Sequence, residues 1–347
     1  MTVQKSKVKL SIFFVLGICL IMLFPVGGQT QSIVSVLDLG MGVRPLGLGG
    51  AFTGLADDEN AVLYNTAALA YLDGAKFSAL FERRFGVVNH GTVAFAARNL
   101  GVGFLFLNII GLPRREEREA LDSFSYANFA AVAAFGMPLN AIPGLAQSVP
   151  ANIALGLRAK LLRVNTLPEG RGSGLALDPS FLMEFKTLQV GGFTLERLRV
   201  GATIDNLLGL GIRYGSGHAE SWRLGLRLGA SATTAQGFTT ALDLDTNGTL
   251  HFGSEFRLRG IGLETLGLTG GGLAVRFGSL LGKQFAPTFG LSLTMDKMQI
   301  DYAFITHSLL PASHRLSFGM AFDMPPLLKC LNPVPDPCRG SGDSDNP

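Results

Sequence analysis

The sequence predicts an all-β membrane protein, an antiparallel transmembrane β-barrel of about fourteen strands that encloses a short, partly helical N-terminal hatch. Three observations predict this fold. Apolar residues alternate with small or polar ones through most of the chain after Ala75. Charged residues make up only 16% of the 347 residues, whereas soluble domains carry about 25%. No apolar run of about 18 residues follows the N-terminal leader, so membrane-spanning helices are not expected.

The alternation separates an apolar face from a small or polar face. In the last predicted strand one face carries Leu316, Phe318, Met320 and Phe322, and the opposite face begins with Arg315. A lipid-facing outside and a crowded polar lumen require this division. Backbone groups in lipid must be hydrogen-bonded internally, so the strands are expected to close into a barrel.

The pattern divides the barrel region into fourteen strands. They are predicted at 75–84, 88–98, 101–112, 124–137, 150–164, 174–186, 194–208, 220–233, 237–246, 249–258, 271–280, 285–295, 298–308 and 313–323. Asn247-Gly248 is a strong signal for a two-residue hairpin. An even number of strands places both ends of the barrel in the periplasm.

Residues 1–28 have the pattern of a secretory signal peptide. Lys5, Lys7 and Lys9 precede an apolar stretch, and cleavage is predicted near Gly28. An uncleaved N-terminal anchor is the alternative. Without the leader the chain has 26 basic and 26 acidic residues, which argues against a nucleic-acid partner. We therefore expect export to the bacterial outer membrane, with lipid as one partner.

The mature chain is expected to have three parts. Residues 29–74 form the hatch, 75–323 the transmembrane barrel and 324–347 a proline-rich periplasmic tail. In the tail Cys330 and Cys338 are a candidate disulfide pair, because exported proteins meet an oxidising compartment. A metal pair is the less favoured alternative, since no zinc-like spacing accompanies these cysteines.

Three stretches are predicted to be external loops: 113–123, 166–173 and 209–219. The first carries the densest charge cluster of the chain, from Arg114 to Glu119. Such a cluster is expected to lie in water or against charged lipid headgroups, and a binding surface for a partner is the less favoured alternative.

The inward faces of the predicted strands carry charged residues that are expected to line the lumen. These are Arg158, Lys160, Arg223, Arg227, Asp243, Asp245, Glu255, Arg257, Arg276, Asp301 and Arg315. A barrel this wide is not filled by its own side chains. We expect Asp57 and Asp58 of the hatch to meet one or more of the inward Arg158, Arg223, Arg227, Arg257, Arg276 and Arg315 and so to fasten the hatch.

The segment 42–69 resembles the N-terminal signature of the FadL/PorV group of outer-membrane proteins, which includes the PorV/PorQ family. The matching blocks are Arg44 to Phe52 (RPLGLGGAF), Ala56-Asp57-Asp58 and Asn65 to Leu69 (NTAAL). The residues that carry the hatch motif are Arg44, Pro45, Gly47, Gly49, Gly50, Asp57, Asp58, Asn65 and Ala67. Segments 301–304 and 314–318 are similar to the last strands of PorV-type proteins. Thr66 and Ala68 replace the proline and glycine of the family motif, and we expect a more helical turn there.

The resemblance implies one of two functions. FadL-like members pass hydrophobic small molecules across the outer membrane, which implies an apolar ligand. PorV-like members serve type IX protein secretion, which implies an exported client protein. An enzyme is not expected, and neither a cofactor nor a metal is expected. The five histidines are scattered without an HExxH motif, and no phosphate-binding loop with its lysine is present.

Overall fold

The computed structural model describes residues 35–84, 86–116, 119–142, 144, 152–190, 193–259, 271–282, 285–307 and 311–323. The predicted leader and the tail with Cys330 and Cys338 lie outside these residues. None of the helices in the described ranges is long and apolar enough to cross a membrane.

Strands account for most of the described chain. They are β1 (Ala75–Arg84), β2 (Val88–Ala97), β3 (Leu100–Glu116), β4 (Glu119–Pro138), β5 (Ile153–Asn165), β6 (Gly172–Val190), β7 (Phe193–Asp205), β8 (Leu208–Tyr214), β9 (Ala219–Glu220), β10 (Gly225–Thr234), β11 (Phe238–Asp245), β12 (Leu250–Arg259), β13 (Gly272–Leu281), β14 (Phe285–Met295), β15 (Met298–Ile305) and β16 (Ser313–Phe322).

Fourteen of these strands form a closed antiparallel barrel. Strands β1 to β7 and β10 to β16 pair in chain order, and β16 pairs with β1 from Ala75↔Phe322 to Phe81↔Leu316. The predicted fold class is therefore confirmed. These ladders close the ring, as a lipid-facing sheet requires, and beside β8 and β9 the pairing is interrupted.

The two remaining strands correct the predicted loop at 209–219. Strand β8 continues in the direction of β7 and pairs with the first part of β6, and β9 turns back on β8. The glycines that suggested a loop are accommodated within this short hairpin. Gly211, for example, has a φ of 70°, which glycine adopts without strain.

The predicted external loop at 113–123 is also wrong for most of its length. Strands β3 and β4 remain paired as far as Glu116↔Glu119, with register shifts between Ile109 and Leu112 and between Pro113 and Arg115. These irregularities accommodate Pro113, which cannot donate to a regular ladder. Charged residues do not end a hairpin whose backbone groups can still pair.

The barrel wall has the predicted two faces. Leu316 is 57% exposed on the outside, whereas the adjacent Arg315 is only 3% exposed and points inward. Leu157 and Arg158 of β5 show the same contrast, at 48% and 5%. Large apolar side chains therefore cover the outside, and polar and charged ones enter the lumen.

Four short helices lie in the hatch segment, defined here as the described residues 35–74. They are a 3₁₀ helix at Val36–Leu39, α1 (Val43–Gly47), α2 (Ala61–Tyr64) and a 3₁₀ helix at Thr66–Tyr71. The last of these packs against β4, β5 and β6, and α1 packs against β13, β14, β15 and β16. The hatch segment thus bridges two sides of the lumen.

Candidate functional site

Side-chain caps shape the hatch segment locally. Ser35 and Asp38 form a capping box on the first 3₁₀ helix. Asn65 caps the last one by accepting from Ala67 N at 3.1 Å. Thr66, which departs from the family motif, bonds the Ser180 hydroxyl at 2.7 Å. Helix does form from Thr66 onward, and the Thr66 hydroxyl attaches this helix to β6.

Glycines of the wall let the hatch backbone lie directly against the strands. A Cβ added to Gly278 would lie 2.3 Å from Gly49 N, and one added to Gly136 would lie 2.1 Å from Thr66 O. Comparable contacts with hatch backbone occur at Gly156, Gly201, Gly229 and Gly253. Real Cβ atoms do not come this close to backbone, so these inward positions require glycine for the hatch to fit.

Arg44 is the centre of the polar contacts between hatch and wall. Its guanidinium pairs with Asp58 at 2.7 Å and with Asp57 at 2.5 Å, both within the hatch segment. It also bonds Glu255 of β12, with Nε to Oε2 at 2.8 Å and Nη2 to Oε1 at 3.1 Å. Burial would raise the pKa of Asp57, but Arg44, Arg257 and Arg197 hold that pKa well below its usual range.

Glu255 is fully buried and surrounded by arginines. Besides Arg44 it pairs with Arg276 at 2.6 Å and with Arg257 at 2.7 Å. Arg276 continues to Asp301 at 3.1 Å. A buried carboxylate is stable only when its charge and hydrogen bonds are compensated in this way.

One of the six predicted arginine partners of the Asp57-Asp58 pair meets it, and an arginine that was not predicted lies closer. Arg257 does approach Asp57, at 3.8 Å, but the closer wall partner is Arg197 at 3.0 Å. Arg158, Arg227, Arg276 and Arg315 are directed to other groups. Arg223 is exposed in the segment 221–224 between β9 and β10, so it is not a luminal charge.

Other predicted luminal residues bind the hatch backbone instead of its aspartates. Arg315 donates to Leu39 O at 3.0 Å and pairs with Glu82 at 3.0 Å. Asp243 accepts from the N–H groups of Phe52 and Thr53 at 3.0 and 2.8 Å.

Arg227 and Asp245 form a further contact with the hatch. Arg227 pairs with Asp245 at 3.6 Å and donates to Gly50 O at 3.4 Å. His251 also bonds Asp245, at 3.3 Å, and Gly49 O at 2.7 Å. These side chains therefore hold main-chain groups of the glycine block.

Arg158 and Lys160 form a separate cluster on β5. Both pair with the buried Asp178, at 2.6 and 2.9 Å. Arg158 also bonds Asp205 and the carbonyl of Leu63 in α2. This cluster connects the hatch to the end of β7.

Several buried or half-buried residues of the site were not singled out from the sequence: Glu82, His90, Asp178, Glu184, Arg197 and Arg199. All lie on predicted strands at inward positions of the alternation. Applying the period-two pattern to every strand would have identified them.

One side of the lumen carries an apolar wall, defined as Leu105, Leu107, Tyr126, Leu162, Val164, Ile212, Tyr214 and Trp222. Register aligns these side chains in rows, one running from Leu105 through Leu162 to Ile212. Those three side chains are fully buried, but Leu107, Tyr126, Tyr214 and Trp222 keep part of their surface exposed. Val36 and Leu37 of the hatch segment pack into the same cluster.

The opposite side of the lumen is polar. Strands β10 to β16 contribute buried Asp243, Arg276, Ser292, Asp301 and Arg315. The apolar wall therefore lies beside the Arg158–Lys160–Asp178 cluster of β5 and β6, whereas the lumen side of β10 to β16 is ion-paired. An apolar molecule would lose water against the apolar wall only.

No protein-family model and no curated protein matches the chain. Solved structures do match it. The P. putida toluene transporter TodX is 12% identical and has a TM-score of 0.47, and the match covers 82% of this chain and 99% of that chain. The CymD monoaromatic hydrocarbon channel is 10% identical, with coverages of 82% and 98% and a TM-score of 0.48.

Proposed function

We propose that this protein is an outer-membrane barrel that passes apolar small molecules, which bind on the apolar wall. The observation that carries the proposal is the set of partly exposed side chains Leu107, Tyr126, Tyr214 and Trp222, which face the lumen of an otherwise polar barrel. A lumen that only held water or a structural plug would gain nothing from exposing apolar surface there. An apolar ligand would cover that surface.

The outer surface supports a membrane location. Large apolar side chains are exposed on many strands, including Val102, Phe104, Leu157, Phe277 and Leu316 at 44–58%. A soluble protein rarely exposes so much apolar surface, whereas a barrel in lipid requires it. The predicted signal peptide is consistent with export to the outer membrane.

The hatch segment sets the condition for passage. Its backbone lies against wall glycines, and Arg44, Arg158, Arg315 and Asp243 bond it to strands around the ring. A molecule on the apolar wall therefore reaches the other end of the barrel only after part of the hatch moves. We propose that ligand entry at the apolar wall displaces the neighbouring 3₁₀ helix at Val36–Leu39.

Uptake of the apolar dye N-phenyl-1-naphthylamine by Gram-negative cells tests the proposal. Cells that express the protein are expected to take up the dye several-fold faster than cells with an empty vector. Leu107→Asp should remove most of this gain, because a charge on the apolar wall opposes an apolar ligand. Leu107→Met, which preserves the apolar volume, is the matched control.

Two further measurements serve as controls for folding and for general leakage. Heat-modifiable migration on gels establishes that the variants contain equal amounts of folded barrel. A small hydrophilic antibiotic reports general leakage and should enter all cells at the same rate. Equal dye uptake by the Leu107→Asp variant and the unmodified protein, at equal amounts of folded barrel, would contradict the proposal.

A further inference from the structure

We infer that Trp222 selects among the apolar molecules that the lumen accepts, favouring neutral compounds that carry a hydrogen-bond acceptor over plain hydrocarbons. The inference rests on the proposed function and deepens it by naming the chemical class of the ligand. An ester, ketone or ether oxygen on an apolar body fits this class.

A break in the wall turns Trp222 inward. The ladder between β7 and β10 ends at Asp205↔Gly225, and the ladder between β8 and β9 begins at Ile212↔Glu220. Residues 206–211 therefore lie opposite the shorter segment 221–224 without ladder pairs, although Asn206 Nδ2 donates to Arg223 O at 2.7 Å. Regular alternation would place Trp222 outside with Leu224, but in the structure it packs against the buried apolar cluster.

Neighbouring side chains fix the indole ring. Gly209 leaves room for it, because a Cβ at that position would lie 3.1 Å from Trp222 Cβ. Lys160 Nζ lies 5.3 Å from the ring centroid, in cation–π geometry. Lys160 is itself buried and paired with Asp178 at 2.9 Å. One face of the ring is thus occupied by a structural contact.

The ring nitrogen has no such contact. Trp222 Nε1 is buried and has no hydrogen-bond partner among the described residues. An indole N–H only donates, and a buried donor without a partner is unfavourable. A ligand group that bonds the Trp222 N–H must therefore be a hydrogen-bond acceptor.

The charges nearby indicate that the acceptor is neutral. Lys160 already pairs with Asp178, and Arg158 already pairs with Asp178 and Asp205. Asp38 of the hatch segment is exposed and interacts electrostatically with Lys160. A carboxylate ligand would meet these acidic groups without a free cation among the residues of this cluster, whereas a neutral oxygen would not be repelled.

The experiment compares two competitors of dye uptake in cells: methyl cyclohexanecarboxylate, which carries acceptors, and isobutylcyclohexane, which has the same number of heavy atoms and none. The ester preference is defined as the inhibitory concentration of the hydrocarbon divided by that of the ester, and it is measured for the unmodified protein and for the variant. In Trp222→Phe, which keeps an aromatic ring but lacks the N–H, the ester preference should fall about threefold to tenfold, as the loss of one net hydrogen bond predicts.

Fluorescence gives a second, independent readout, because Trp222 is the single tryptophan of the chain. The ester should shift the emission of the purified protein to longer wavelength, and the hydrocarbon should not. If Trp222→Phe does not fold, this fluorescence titration of the unmodified protein tests the inference by itself. An unchanged ester preference in a folded Trp222→Phe variant, or equal emission responses to both compounds, would overturn the inference while leaving the proposed function intact. Absence of protein-dependent dye uptake would overturn both.

Discussion

Arg44 of the hatch segment and Glu255 of β12 form a two-point ion pair, with Nε to Oε2 at 2.8 Å and Nη2 to Oε1 at 3.1 Å. Arg44 is 5% exposed and Glu255 is not exposed at all. The two residues are separated by 211 positions, so their contact fastens the first described part of the chain to a strand deep in the barrel sequence. Arg44 also pairs with Asp57 and Asp58.

Replacing Arg44 is expected to loosen the hatch. Arg44→Gln removes a positive charge that pairs with three buried or half-buried carboxylates. Breaking a buried ion pair costs about 3–5 kcal/mol. Hydrogen exchange should become faster in residues 43–58, and the midpoint of denaturant unfolding should fall. Arg44→Lys keeps the charge but not the two-point geometry, so an intermediate effect is expected. Unchanged exchange in Arg44→Gln would show that the pair does not hold the hatch.

Gly278→Ala is expected to displace the hatch backbone. The new Cβ would lie 2.3 Å from both Gly49 N and Leu48 C, and backbone cannot move aside as a flexible side chain can. The strain should lower the free energy of unfolding by about 1–3 kcal/mol. Gly319→Ala is the matched control, because Gly319 is also a buried strand glycine but its nearest neighbour is 3.5 Å away. Equal unfolding midpoints of the two variants would contradict the close-contact role of Gly278.

Much of the barrel could be predicted because its determinants are local. Alternation fixes which face meets lipid, and the limits of β1 and β14 agree with the predicted 75–84 and 285–295. The hairpin of β8 and β9 could not be predicted in this way. It depends on β6 changing its partner from β8 to β7 near Ser180, which is a long-range choice.

The site was predictable in composition but not in pairing. Inward arginines and the hatch aspartates follow from the alternation and the motif. Which arginine meets Asp57 depends on how deep the hatch lies, and wall glycines such as Gly278 set that depth. The position of Trp222 could not be predicted from alternation. Alternation places its side chain outside, but the segment 221–224 is unpaired and the side chain packs inward.

Arg158 is expected to link the hatch to the break beside β7. Its guanidinium bonds the Leu63 carbonyl of α2, Asp178 and Asp205, so its removal affects both regions. In Arg158→Gln, hydrogen exchange should become faster in 61–66 and in 205–211 together. Arg163→Gln on the same strand is the control, because Arg163 is exposed and outside this cluster. Faster exchange in only one of the two regions would show that Arg158 does not couple them.

Glu59 gives the hatch segment a titrating group near neutral pH. Burial, followed by the charge of Asp58, raises the pKa of Glu59 from 4.5 to about 7, whereas Ser78 and Lys76 oppose the rise. Between these values the folded protein holds a proton that the unfolded chain releases. Stability from this proton is fully present below pH 4.5 and is lost as the pH rises to about 7.

Glu59→Gln is therefore expected to flatten the pH dependence of stability. The amide resembles the protonated acid and does not titrate, so the variant should retain at pH 7.5 the stability that the unmodified protein loses between pH 5 and 7.5. Denaturant unfolding of the purified protein in detergent at these two pH values measures the loss. Glu196→Gln, at an exposed position of β7, should keep the unmodified slope. If Glu59→Gln loses as much stability as the unmodified protein over this range, Glu59 is not the group whose ionisation weakens the hatch, and the proton must be held elsewhere.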